Sequence, residues 1–125
     1  MKKENLTIIA GMPRAGTSYM YQALARHPEI FLPAIKETNF FSYNQEKGNN
    51  WFLELYKDAK TEQKYFDISP FYFLDNDFIN NILLHNSNQK VILLLRNPND
   101  WIKSFYNQLK KQTYNLPEFD NFVNS

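Results

Sequence analysis

Cysteine is absent from the 125 residues, which excludes disulfides, thiolate metal sites and a cysteine nucleophile. Histidine occurs twice: His27 reads as a helix cap before Pro28, and His85 reads as an exposed residue among asparagines. No spacing of His, Asp and Glu has the form of a metal site, so no metal is expected. Charge of one sign is also lacking: 14 basic against 13 acidic side chains leave a net +1, too little to coat a nucleic acid. Long apolar runs are missing too. The N-terminal run Leu6 to Ala10 is far short of a signal segment, and nothing approaches the ~18 apolar residues of a membrane span. A cytoplasmic location is the expectation. There is no internal repeat, and the length sets one domain over residues 1–125.

What the chain has is apolar ring area: 11 Phe, 8 Tyr and 2 Trp, enough for a core. Leu6 to Ala10, Lys64 to Ser69 and Lys90 to Leu95 read as strands, with a short one at Ile30 to Leu32. Between them lie helical patterns. Thr17 to Arg26 places Tyr19, Met20, Ala23 and Leu24 on one side, and Trp51, Phe52, Leu55 and Tyr56 recur at helical spacing. Asp75 to Leu84 is a further helix, and Asn97 to Gln112 opens with Pro98 and carries the stripe Trp101, Ile102, Phe105, Leu109. Lys36 to Ser42 reads as a loop with Phe40 and Phe41 turned inward, and Tyr114 to Ser125 as a tail with little pattern. Strands alternating with helices predict an α/β fold, a three-layer sandwich around a mostly parallel sheet. Ligands of such sheets sit at the carboxyl ends of strands, which places Gly11 to Ser18, Ser69 and Arg96 on one rim.

Only three glycines are present, and two of them lie within the most informative stretch, LTIIAGMPRAGTS. An apolar strand ends in Gly11, a turn ends in Gly16, and Thr17 and Ser18 open a helix. The glycines permit a tight backbone path and close approach of an anion to the helix N-terminus. Against the nucleoside-triphosphatase pattern GxxxxGK followed by Ser or Thr, the glycine spacing is kept but Thr17 replaces the lysine. Arg14 is the loop cation instead. Such a loop suits a terminal phosphate better than triphosphate chemistry. Arg96, at the end of the last strand and beside Asn97-Pro98, is placed to bind a second phosphate, with Ser104 two turns along the helix.

GMPRAGTS, LARHP, KETNFF, SPFYF and LLRNPNDWIKSFY, in this order over residues 6–110, resemble the sulfotransferases that use 3′-phosphoadenosine 5′-phosphosulfate (PAPS), in particular bacterial and carbohydrate-type members. The resemblance implies a P-loop-like fold and transfer of a sulfuryl group from PAPS, as co-substrate and without a metal, to a hydroxyl of a carbohydrate or small molecule. It implies that Arg14, Ala15, Gly16, Thr17 and Ser18 grip the 5′-phosphosulfate, with Arg14 also stabilising the departing charge. Arg96 and Ser104 would read the 3′-phosphate. Within KETNFF it makes Glu37 the general base and Lys36 its cationic neighbour. Two positions depart from the pattern: Trp101 stands where the family commonly has arginine, and Ile68 where sugar-type members have a lysine, leaving Lys36 as its substitute. Ser69 and Tyr72 become candidate nucleotide or acceptor contacts. Family members are roughly twice this length, on the order of two domain-size units, so the expectation is an N-terminal nucleotide-binding portion, incomplete at its C-terminal side.

Two other readings share these residues. One is a non-catalytic module that binds PAPS or its product 3′-phosphoadenosine 5′-phosphate (PAP) and needs an oligomeric or other partner, or the C-terminal half of the family's fold, to complete it. The second is a nucleotide kinase-like enzyme, which the missing loop lysine disfavours.

Overall fold

Four strands, β1 (Leu6–Gly11), β2 (Ile30–Phe31), β3 (Lys64–Ile68) and β4 (Lys90–Leu94), pair in parallel in the order β2-β3-β1-β4. In this computed structural model residues 3–112 and 115–124 are described. The helices are α1 (Thr17–Leu24), α2 (Gly48–Glu54), α3 (Phe78–His85), α4 (Pro98–Gln112) and α5 (Phe119–Val123). A 3-10 turn, Pro70–Leu74, follows β3.

β1 lies inside the sheet because LTIIAG is apolar on both faces, and Leu6, Ile8, Ile9 and Ala10 are all buried. Register divides the faces: Leu6 pairs with Tyr65 and Ile8 with Asp67, whereas Ile9 pairs with Ile68 and Ile92. The Leu6, Ile8, Tyr65 face carries the main core, closed by Phe40, Phe41, Phe52, Tyr56, Tyr72, Phe78 and Ile82. Phe52 stacks on Phe40 at 4.4 Å and meets Tyr56 edge-on at 5.2 Å; Tyr72 stacks on Phe78 at 4.6 Å. Thus α2 and α3 cover one face. The crossover from β1 to β2 runs across the sheet in the opposite direction, and right-handedness sends α1 to the other face. The expected three-layer α/β arrangement is what forms, with a sheet that is parallel throughout.

Boundaries moved where turn chemistry outcompeted apolar spacing. α3 begins at Phe78 instead of Asp75, because the Asp75 carboxylate accepts the Asp77 N–H at 2.8 Å and spends those residues on a turn. α4 begins at Pro98, with the Asn97 side chain accepting the Asn99 N–H at 3.0 Å. α1 stops at Leu24, two residues before Arg26, and of its expected apolar side Tyr19 and Ala23 are exposed while Met20 and Leu24 are half-buried. His85 is half-buried, with Phe41 edge-on at 5.2 Å, contrary to the exposed placement expected among asparagines. The tail is ordered beyond expectation: α5 packs Phe119 and Phe122 against Tyr106, whose hydroxyl donates to the Pro117 carbonyl at 2.8 Å. Tyr114 and Ser125, which bounded that tail, lie outside the described residues.

β4, the longest apolar run, forms an edge of the sheet. Val91, Ile92 and Leu93 are 38%, 43% and 52% exposed, so both faces of this strand remain open among the described residues. The contrast with the core is measurable. Phe52→Ala should lower stability by about 3–5 kcal/mol, whereas Val91→Ala should cost roughly 1 kcal/mol or less. Urea unfolding of the two variants checks this; equal losses would show that β4 is as well packed as the aromatic core.

Candidate active site

The backbone after β1 is set by one close approach. Gly11 has φ +147°, and a Cβ there would overlap the Leu94 carbonyl oxygen, which accepts the Met12 N–H at 2.9 Å. Ala15 N–H then closes a turn onto Met12 O at 3.0 Å, and Arg14 takes a left-handed φ of 70°. Gly16, with φ +97°, caps α1, and apart from its immediate chain neighbours no described residue comes within 4 Å of where its Cβ would be. The first N–H groups of α1, beginning with Thr17 and Ser18, have no intrahelical acceptor. A strand thus feeds an open glycine and a helix N-terminus, which is a phosphate-binding geometry.

Three bonds from the β4–α4 segment brace this loop. Trp101 donates its indole N–H to Pro13 O at 2.7 Å, Arg96 Nη1 donates to Arg14 O at 3.1 Å, and Arg14 Nε donates to Ser104 Oγ at 3.2 Å. From the other side, Lys36 Nζ donates to Ser18 Oγ at 2.8 Å and pairs with Glu37 Oε1 at 3.1 Å. Both side chains are about one-third exposed, at 32% and 29%, so the pair is screened and contributes little to stability.

Between the two sides lies one cleft of about 530 Å³, lined by Arg14, Gly16, Thr17, Ser18, Lys36 and Glu37, with Pro70 and Phe71 after β3 and Phe105, Gln108, Leu109 and Gln112 of α4. The cleft sits at the carboxyl ends of the strands, where the connections from β1 and β3 leave to opposite faces. The donor set suits an anionic phosphate ester: guanidinium, ammonium, two hydroxyls and helix amides.

The same chain matches the family model for the sulfotransferase domain over residues 4–125. It belongs to the sulfotransferase family. It is 28% identical over 112 residues to human heparan sulfate glucosamine 3-O-sulfotransferase 6, an alignment covering 90% of this chain and 32% of that protein. It is 29% identical over 115 residues to mouse heparan sulfate glucosamine 3-O-sulfotransferase 5, covering 86% and 33% respectively. It is also similar to the membrane-associated sulfotransferase kil1 of Dictyostelium discoideum, at 28% identity over 94 residues, 73% of this chain and 20% of that one. The domain therefore spans about one-third of the heparan sulfate enzymes it matches. Its fold is that of a sulfotransferase from Alicyclobacillus acidocaldarius, with a TM-score of 0.81 at 23% identity over 92% of this chain and 53% of that one.

Several site residues of the sulfotransferase domain sit differently from their sequence expectation. Ala15 and Arg96 do not line the cleft: the Ala15 amide is spent on the turn, and Arg96 is turned onto the Arg14 carbonyl. Ser104 meets Arg14 instead of standing free. Ser69 and Tyr72 are fully buried and turned away from the cleft, as partners of Asp67. Ile68 is buried on the sheet, so β3 sends no cation toward the loop, and the ammonium that reaches Ser18 is that of Lys36.

Sequence reasoning missed Trp101 as a brace and Asp67 altogether. Trp101 and Phe105 were legible as an apolar stripe, and the rings do stack at 5.1 Å, but the Trp101 indole is turned onto the loop between β1 and α1. Asp67 gave a local sign only in being a carboxylate inside a β-strand of apolar and aromatic residues.

Burial raises the Asp67 carboxyl above the usual carboxylate range, and the hydrogen bonds from Tyr72, Thr38 and Ser69 only partly oppose it. Above about pH 4 the unfolded carboxyl releases a proton that the folded one still holds, so this group's contribution to stability is lost as pH rises through the folded pKa. Asp67→Asn, which cannot ionise, should lack that loss. Urea midpoints of both proteins between pH 4 and 7 should show the native protein weakening relative to the variant; parallel profiles would contradict the assignment.

Proposed function

We propose that this sulfotransferase domain binds PAPS in the Arg14–Ser18 cleft and transfers its sulfuryl group to a hydroxyl of a carbohydrate acceptor. The observation that carries the reading is the reach of the Lys36 ammonium, 2.8 Å from Ser18 Oγ and 3.1 Å from the Glu37 carboxylate. It joins a phosphate-binding helix end to a carboxylate in one cleft. The carbohydrate class rests on the relatives named as heparan sulfate glucosamine 3-O-sulfotransferases.

In this mechanism Glu37 takes the acceptor's hydroxyl proton as its oxygen forms a bond to sulfur. The bond between sulfur and the bridging phosphate oxygen breaks, and its electron pair stays on that oxygen, giving PAP and a sulfate ester. Arg14, Lys36 and the N–H groups of α1 stabilise the negative charge that collects on the phosphate. Arg96, through its hold on the Arg14 carbonyl, and Ser104, through its bond to Arg14 Nε, keep the guanidinium aimed; neither lines the cleft as it stands, and reading a 3′-phosphate would require them to exchange these contacts for it.

The open β4 edge favours a second reading of the isolated domain, in which it binds the nucleotide and further polypeptide completes the catalytic fold.

PAP near 100 times its dissociation constant should stabilise the domain by about 2.7 kcal/mol, a rise of several degrees in Tm, and 5′-AMP should do distinctly less. Equal shifts from the two nucleotides would remove the 3′-phosphate role of Arg96 and Ser104. In a polypeptide that transfers sulfate, Glu37→Gln should cut turnover by roughly 10²–10⁴-fold, the usual worth of a general base, while PAP affinity stays within a factor of about two. Retained turnover would rule out Glu37 as the base.

A further inference from the structure

The loop that carries Lys36 and Glu37 is bound to a buried carboxylate that the proposed chemistry does not use. Thr38, Asp67, Ser69 and Tyr72 are each 0% exposed. Asp67 Oδ2 accepts from Thr38 Oγ1 at 2.8 Å and from the Tyr72 hydroxyl at 2.7 Å, and Oδ1 accepts from Ser69 Oγ at 2.9 Å. Each of these hydroxyls takes up an amide of the loop: Ser69 accepts Asn39 N–H at 3.1 Å, Tyr72 accepts Phe41 N–H at 3.2 Å, and Thr38 accepts Phe40 N–H at 3.3 Å. One carboxylate thereby organises three consecutive backbone amides.

The held backbone is strained. Glu37 has φ 62° and Asn39 φ 49°, both left-handed, a region that a glutamate visits only when its surroundings over-determine it. Asn39 Nδ2 donates to the Glu37 carbonyl at 3.0 Å, and Asn44 Nδ2 donates to the Thr38 carbonyl at 2.8 Å, so the loop's carbonyls are tied as well. With Phe40 and Phe41 anchored in the aromatic core, the left-handed pair leaves Lys36 and Glu37 pointing into the cleft while Thr38 points away from it.

We propose that Asp67 is a positioning residue: through Thr38, Ser69 and Tyr72 it holds Glu37 and Asn39 in the left-handed conformation that presents Glu37 and Lys36 to the loop between β1 and α1. The consequence for catalysis rests on the reading of Glu37 as the base. The positioning itself does not.

The test uses backbone ¹³C shifts, which report the sign of φ, together with amide exchange, on the native chain, Ser69→Ala and Asp67→Asn. Ser69→Ala removes the Asn39 acceptor and keeps the Asp67–Tyr72 bond, so it guards against a variant that fails to fold. Native protein should show left-handed shifts at Glu37, Asn39 and Arg14. Both variants should lose them at Glu37 and Asn39 with tenfold or faster exchange of the Asn39 amide, and keep them at Arg14, which Asp67 does not touch. Unchanged loop shifts and exchange would overturn the proposal. So would loss of the signature at Arg14 along with the others, which would make Asp67 a general support of the fold. Glu37→Gln should leave the shifts in place; a Glu37→Gln enzyme that retains turnover would refute the base and leave the loop result standing.

Discussion

Parallel pairing of β1 with β4 runs out to the last residue of each strand, and the site depends on how the chain leaves that pairing. Leu94's carbonyl occupies the space a side chain at residue 11 would need, so only glycine permits the turn that follows. The carbonyl then accepts the Met12 N–H and fixes the direction of departure. From there the loop is pinned through its own carbonyls at Pro13 and Arg14, by an indole and a guanidinium from the segment that follows β4. Binding a phosphate with backbone amides requires that those amides not be consumed internally. Bracing the loop at its Pro13 and Arg14 carbonyls takes up none of the first N–H groups of α1, whereas the Met12 and Ala15 amides are spent on the turn itself.

The cations of the site are a local concentration in a chain of near-zero net charge. Arg14, Lys36 and Arg96 come from three segments far apart in sequence, and each is engaged by a neutral or singly charged partner: a serine hydroxyl, a serine and a glutamate, and a backbone carbonyl. Side-chain bonds of this kind, half in water, are individually weak. In the proposed function a doubly charged phosphate would compete with them on favourable terms, exchanging internal contacts for a ligand without rebuilding the backbone.

Behind the cleft the sheet carries a carboxylate among stacked rings. Burying Asp67 is unfavourable unless its oxygens are satisfied, and three hydroxyls satisfy them. Those hydroxyls have spare acceptor capacity, which the amides of residues 39–41 fill. A short polar network thus does two things that an apolar patch of the same size could not: it orders a loop with no secondary structure of its own, and it stabilises left-handed backbone at Glu37 and Asn39.

Much of this was legible beforehand. The alternation of strands and helices, the Gly11 and Gly16 loop and the inward turn of Phe40 and Phe41 follow from local pattern and spacing, whereas the grouping of Lys36 and Glu37 with Arg14 was legible only through the resemblance of KETNFF to the family. These are near-neighbour properties: steric freedom at glycine, apolar period, and the order of short motifs. What the amino-acid order left open was decided by distance in space. Ser69 and Tyr72 went to Asp67 instead of the cleft, Arg96 turned onto a backbone carbonyl, Trp101 became a brace, and the apolar run of β4 became an exposed edge. Hydrogen bonds and burial depend on which segments meet, and here the partners lie up to 90 residues apart. The sequence by itself determined that a glycine-bounded turn carrying Arg14 would join a strand to a helix, because steric freedom at glycine is local; tertiary packing alone decided which polar side chains reach that turn, because their partners come from distant segments.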